Sequence, residues 1–210
     1  MLYMLHMKYN TVPSEEIIIK TIEAIKSRGM AAQVVETAGE AREMVIAMIP
    51  KGSEVMTMSS ETLRVTGIAD AVNDSSDYKS VRKELMGMDR ETQGRQMQVL
   101  GASPEIAVGS AQVVTEHGEL VFASNTGSQL PAYAYGADQV ILVIGAQKIV
   151  PNMDAAMKRL YEYVLPLESA RANKAYGITT GSNVSKILIL SKEVKPKRVH
   201  IIIVKEALGF

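Results

Sequence analysis

Apolar and polar positions along this chain fall into blocks whose period switches between helical and strand-like. Ile18, Ile22 and Ile25 repeat at helical spacing within Thr11–Gly29. Ser14 is placed to cap that helix, Glu15 and Glu16 suit its positive end, Lys26 and Arg28 suit its last turn, and Gly29 fits a left-handed exit. A strand is predicted at Ala32–Val35. A helix with Ala41, Met44, Val45 and Met48 on one face follows, closed by Pro50 and Gly52. Val55–Met58 predicts a buried strand that feeds Ser59, Ser60, Glu61 and Thr62 and then a helix carrying Leu63, Val65 and Ile68. Beyond the polar break Asn73–Asp77, Lys79–Met86 and Arg90–Leu100 predict two helices whose mixed charges form a solvated face. Gly101–Pro104 breaks the chain again, and Ile106–Val114 is expected to be helix turning into strand.

The stretch from Thr115 to Lys148 organises the rest. Glu116, His117, Gly118 and Glu119 form a turn between apolar runs, which predicts a hairpin with Leu120–Ala123 as its second strand. Ser124–Gln129 is a loop of small polar residues, and Leu130–Tyr135 is expected to start a helix. Val140–Ile144 is an uninterrupted apolar run, as in a parallel strand covered on both faces. Asn152 is placed to cap a helix with Met153, Met157, Leu160 and Val164 on one stripe. Pro166 is expected to end it, and a short helix over Leu167–Lys174 follows. Thr179–Asn183 is another polar loop. Ile187–Leu190 and Val199–Val204 predict two more buried strands, and Lys205–Phe210 a short tail. Strands alternating with helices predict one α/β domain over 1–210 with a mostly parallel sheet, residues 1–13 being an N-terminal extension.

Composition narrows the function classes. With 47% hydrophobic and 22% charged residues in 210, a folded globular chain is expected. Lys plus Arg and Asp plus Glu both total 23, so the basic excess of a general nucleic-acid binder is missing. The absence of cysteine removes disulfides, thiolate catalysis and iron–sulfur ligation by this chain, and is compatible with the cytoplasm, the expected location. The apolar runs are too short to span a bilayer, and MLYMLHMKYN lacks the features of a signal peptide. The thirteen Met residues are read as core filling.

The standard signatures fail. The chain has no dinucleotide-binding glycine fingerprint, no Walker-type loop, no nucleophile elbow and no HExxH helix. His6, His117 and His200 are isolated, so no metal is expected. Motif chemistry alone does not reveal the reaction. What remains is four polar loops, each after a predicted strand: Ser59–Thr62, Ser124–Gln129, Gln147–Lys148 and Thr179–Asn183. Ligands of open α/β sheets sit beyond the carboxyl ends of strands. There Ser59, Ser60, Thr62, Asn125, Thr126, Gly127, Ser128, Gln147, Thr180, Gly181 and Ser182 would direct hydrogen bonds at a small anion, and Lys148 would add charge. For any one of these loops capping and turn chemistry is the favoured account; the four together favour a site. Glu116 is the carboxylate candidate for acid, base or nucleophile work, if it is partly buried; otherwise it is a solvated turn residue.

At these residues the chain resembles the lactate-utilisation (LUD) domain family. The resemblance rests on TEHGEL at Thr115–Leu120, on the Gly127 loop, and on YGADQVILVIGAQKIV at Tyr135–Val150. The helix with Ala155, Ala156 and Arg159 and the segment SSETL at Ser59–Leu63 add to it, and it runs in order over about residues 14–210. Many members have Gly-Asn-Arg where this chain has Gly127-Ser128-Gln129, and Asn-Lys where it has Gln147-Lys148. The first departure removes a basic residue and bears on direct carry-over of ligand specificity. The resemblance implies a three-layer α/β/α fold like that of ribose phosphate isomerases, glucosamine phosphate deaminases and CoA transferases. It also implies a subunit or accessory role in oxidising L-lactate or a related hydroxy acid. No cofactor is expected on this chain, and any iron–sulfur clusters would be carried by oxidoreductase partner subunits. A small anionic metabolite and a second copy of the chain are the other partners considered. A stand-alone enzyme on a sugar phosphate or CoA thioester, and a non-catalytic ligand-binding protein, remain the alternatives.

Overall fold

Six parallel strands form the main sheet, in the spatial order Ala31–Val35, Val199–Val204, Gln139–Gly145, Ile106–Gly109, Glu54–Thr57, Lys79–Ser80. The architecture comes from a computed structural model that describes residues 8–177 and 179–210. Part of the expected N-terminal extension, with His6, lies outside them. The strands are β1 (Ala31–Val35), β2 (Glu54–Thr57), β3 (Lys79–Ser80), β4 (Ile106–Gly109), β7 (Gln139–Gly145) and β10 (Val199–Val204). A second sheet, in the order β8-β5-β6-β9, joins β5 (Val113–Thr115), β6 (Leu120–Ser124), β8 (Ile149–Val150) and β9 (Lys186–Leu190). The expected hairpin forms as the antiparallel pair β5–β6.

Strand alternation sorts the main sheet's side chains into two cores. Val140, Leu142 and Ile144 of β7, with Ala107 of β4 and Ile201 of β10, face helix α1 (Glu15–Ser27) and the second sheet. Ile141 and Val143, with Val108 and Ile202, face α2 (Ala38–Met48), α3 (Glu61–Val65) and α4 (Ile68–Asn73). The result is three layers, one outer layer combining a helix with the smaller sheet. Residues Ile141 to Ile144 have no exposed surface, and burying each such side chain contributes about 1.5–3 kcal/mol. No helix among the described residues is long and apolar enough to cross a membrane.

Several local expectations are corrected. Ile106–Val114 contains no helix: it is β4, a short link and the start of β5, buried on both faces of the sheet, so no strand-like alternation was visible. Lys79 and Ser80 pair with β2, so the next helix, α5 (Val81–Gly87), starts after them with Ser80 as its cap. It is followed by α6 (Arg90–Ala102). Leu130–Tyr135 yields one wide turn over Ala132–Gly136. Pro166 does not end the helix that starts at Met153. A π-helical turn at Leu160–Val164 separates α7 (Met153–Arg159) from α8 (Leu165–Tyr176). The proline thus falls in the first turn of α8, where its missing N–H is tolerated. β9 is an edge strand, with Leu188 and Leu190 against the core and Ile187 and Ile189 exposed.

Candidate functional site

The order β7-β4-β2 places three parallel strands side by side, so the loops at their carboxyl ends emerge at one rim. The loop after β2 supplies Ser59 and Ser60, and Ser60 Oγ caps α3 by accepting from the Leu63 N–H at 3.3 Å. The loop after β4 supplies Ser110 and Ala111. A single 3-10 turn after β7, Ala146–Lys148, supplies Lys148. Lys148 Nζ lies 2.8 Å from Thr62 Oγ1, 3.2 Å from Ser110 Oγ and 3.3 Å from the Ala111 carbonyl. Thr62 passes its own proton to the Leu208 carbonyl, so its hydroxyl accepts from the lysine. The lysine nitrogen thus meets three oxygen atoms, none of them charged.

Above this contact lies a partly enclosed hollow of about 50 Å³, enough for a small anion or a few waters. Ser59, Ser60, Glu61, Gln112, Gln129 and Tyr133 line it with the lysine and its hydroxyls, and Phe122 and Phe210 add apolar wall. Arg171 and Glu168 of α8 complete it, joined by two bonds of 2.7 Å. The Tyr133 ring stacks on Phe122 at 4.7 Å between centroids. Its hydroxyl reaches Gly109, where a Cβ would collide with it.

The electrostatics are unbalanced. Lys148 is 2% exposed, and burial, reinforced by the Arg159 guanidinium, lowers its pKa well below the ordinary lysine range. Arg159 has no exposed surface, and burial pushes its pKa down to about 10. Its guanidinium donates to the Gln112 carbonyl at 3.0 Å and the Tyr9 carbonyl at 3.4 Å, and lies 5.2 Å from the Tyr163 ring centroid. Its Nε has no partner among the described residues. Among those residues no carboxylate pairs with Lys148 or Arg159. Burial also raises the Tyr133 pKa, against a backbone hydrogen bond from Ser110, so the phenol stays protonated. Glu61 is held below the usual carboxylate range, chiefly by its hydrogen bond from Arg64. No three His, Asp or Glu side chains among the described residues gather as metal ligands would. The hollow's donors are hydroxyl, amide, ammonium and guanidinium groups, a set suited to an anion.

The profile of the LUD domain matches residues 18–204. The chain belongs to the LUD domain family. A crystal structure of a DUF162 family protein from Deinococcus radiodurans is similar in fold to this LUD domain. The TM-score is 0.55 over 92% of this chain and 99% of that one, at 13% identity. No curated protein matches the chain significantly.

In this LUD domain Ser59, Ser60, Thr62 and Lys148 come together at the hollow. Gln147 is buried behind it, and its Nε2 donates to the Leu208 and Gly209 carbonyls at 3.1 and 3.2 Å, tying down the tail. Asn125, Thr126 and Ser128 sit exposed in their loop, Thr126 Oγ1 donating to Ser128 Oγ and Ser185 Oγ to Asn125 Oδ1. Gly127 turns that loop at φ +89°. Only Gln129, the residue that departs from the family's basic one, reaches the hollow. Thr180, Gly181 and Ser182 do not line it, because their loop follows α8 and not a strand as expected; Ser182 N–H donates to Ser169 Oγ on α8. Glu116 does not line it either, and pairs with Lys20 at 2.9 Å. The turn around it docks on α1 through Arg28, which donates to the His117 carbonyl at 2.5 Å and pairs with Glu119. Sequence reasoning missed Ser110, Gln112, Tyr133, Glu168 and Arg171. The Glu168–Arg171 spacing is visible in the sequence but matches any surface helix pair.

Proposed function

We propose that this LUD domain holds a small carboxylate, lactate or a related hydroxy or oxo acid, in the hollow over Lys148. In this reading it serves as a cytoplasmic subunit or accessory in oxidation of that acid. Electrons would pass to iron–sulfur partner subunits, since this chain has no cysteine. The observation that carries the reading is Lys148: a buried amine with three neutral oxygen neighbours and no carboxylate paired with it among the described residues. Burying a charge without a counterion is costly, so the protonated form of Lys148 gains most from a bound anion.

Thermal shift with lactate, pyruvate, inorganic phosphate, a sugar phosphate and a CoA thioester tests this, on the natural chain and on Lys148→Met. A ligand at a hundredfold its Kd stabilises by about 2.7 kcal/mol. Lactate or pyruvate is expected to raise the melting temperature of the natural chain and not that of the variant. Silence from every small carboxylate, or an equal rise in both proteins, overturns the reading. Work on a sugar phosphate or CoA thioester, with the CoA-transferase kinship implied by the sequence, is the second reading. The hollow's small volume supports it less, and a response confined to the phosphorylated compounds would favour it.

A further inference from the structure

Resting on that reading of the hollow, we infer that Lys148 is also a nucleophile: its Nζ condenses with the carbonyl of a bound 2-oxo acid to form an imine. A solvated lysine stays an ammonium near neutral pH. This one is enclosed, touches only two hydroxyls and a carbonyl oxygen, and has a second buried cation behind it. Enclosure beside a second cation favours the neutral amine, the only form that attacks a carbonyl. The lowered pKa argues the same way, since each unit raises the neutral fraction about tenfold.

The neighbours supply the proton traffic. The nitrogen lone pair forms the C–N bond at the keto carbon while the carbonyl π electrons move to oxygen. That oxygen takes up a proton as the nitrogen loses one, giving a carbinolamine. Ser110 Oγ at 3.2 Å and Thr62 Oγ1 at 2.8 Å touch the nitrogen and can relay that proton. The protonated Tyr133 phenol on the same wall can donate to the departing hydroxyl. The C–O bond then breaks, one water leaves, and nitrogen's second proton is released as C=N forms. Amine plus ketone gives imine plus water, with no oxidant or reductant. The acid's carboxylate is left to the polar wall of Ser59, Ser60 and Arg171, the last shared with Glu168.

The test is reductive trapping. The full chain is incubated with pyruvate and cyanoborohydride, followed by intact mass and peptide mapping, with pyruvate binding measured by calorimetry in parallel. The expected result is one reduced pyruvate adduct per chain, on Lys148, suppressed by excess lactate and lost in Lys148→Arg. Lys205, held as an ammonium by Glu15 and Glu36, is the internal control and stays unlabelled. The mapping and the lactate competition use the natural chain, so the test stands even if the variant fails to fold. Pyruvate binding without an adduct, or label spread evenly over surface lysines, overturns the imine and leaves the carboxylate site intact. If pyruvate neither binds nor traps and lactate fails as well, both ideas fall.

Discussion

Replacing Lys148 by Met removes one buried charge while keeping most of the side chain's volume, and the pH dependence of stability then reports that charge. In the unfolded chain the amine keeps its proton up to the ordinary lysine range. In the fold it loses it at lower pH, because burial and Arg159 disfavour the ammonium. Between those two pKa values the unfolded state binds more protons than the native state, so stability rises with pH. Below the folded pKa both states are charged, and the desolvation penalty is fully present. The slope inside the window approaches about 1.4 kcal/mol per pH unit for one proton. The hydrogen-bond change does not mask it. Thr62 keeps its bond to Leu208, and Ser110 Oγ keeps the Ala111 carbonyl in reach. Losing the lysine's bonds therefore shifts the variant by about 1 kcal/mol each, independently of pH. Urea denaturation of both proteins at a series of alkaline pH values, plotted as the difference, cancels the titrations they share. The difference should climb with pH, and saturating lactate, by stabilising the ammonium, should flatten it. A difference constant across the alkaline range would show that the native lysine is not desolvated, and the charge argument for the hollow would fail.

Other perturbations probe the supports. Gly109→Ala places a methyl against the Tyr133 hydroxyl, with Cζ at 2.8 Å; a loss of about 1–3 kcal/mol in denaturation is expected, with weaker lactate binding by calorimetry. Arg198→Met removes a guanidinium donor from the carbonyls of Ala132, Tyr133 and Ala137 and leaves Glu193 without its ion-pair partner at 8% side-chain exposure. A loss of about 3–5 kcal/mol is expected, read as a lower urea midpoint. Glu116→Gln breaks only the pair with Lys20, whose side chain is 59% exposed. Stability should change by less than about 1 kcal/mol and lactate binding should be unaltered in the calorimeter.

The central strands were legible because long apolar runs such as Val140–Ile144 and Val199–Val204 have few other solutions in a folded chain. The loops after β2 and β7 were legible for the same reason, since a strand end followed by Ser, Thr or Lys announces a rim. Which loops would meet was not. Strand order decides that, and β4 lies between β2 and β7 in space while its own segment read as part helix. Ser110, hidden in that misread segment, was therefore missed. Arg171 and Tyr133 come from α8 and from a turn whose positions depend on packing between layers; Arg198, anchoring that turn, is 65 residues away from Tyr133. The exposed side of β9 was illegible because an edge strand with isoleucines outward has the same composition as a buried one.

The tail leaves β10, is fastened by Gln147 at Leu208 and Gly209, and brings Phe210 to the hollow's wall. Anything joined after Phe210, an affinity tag included, would begin at the edge of that hollow.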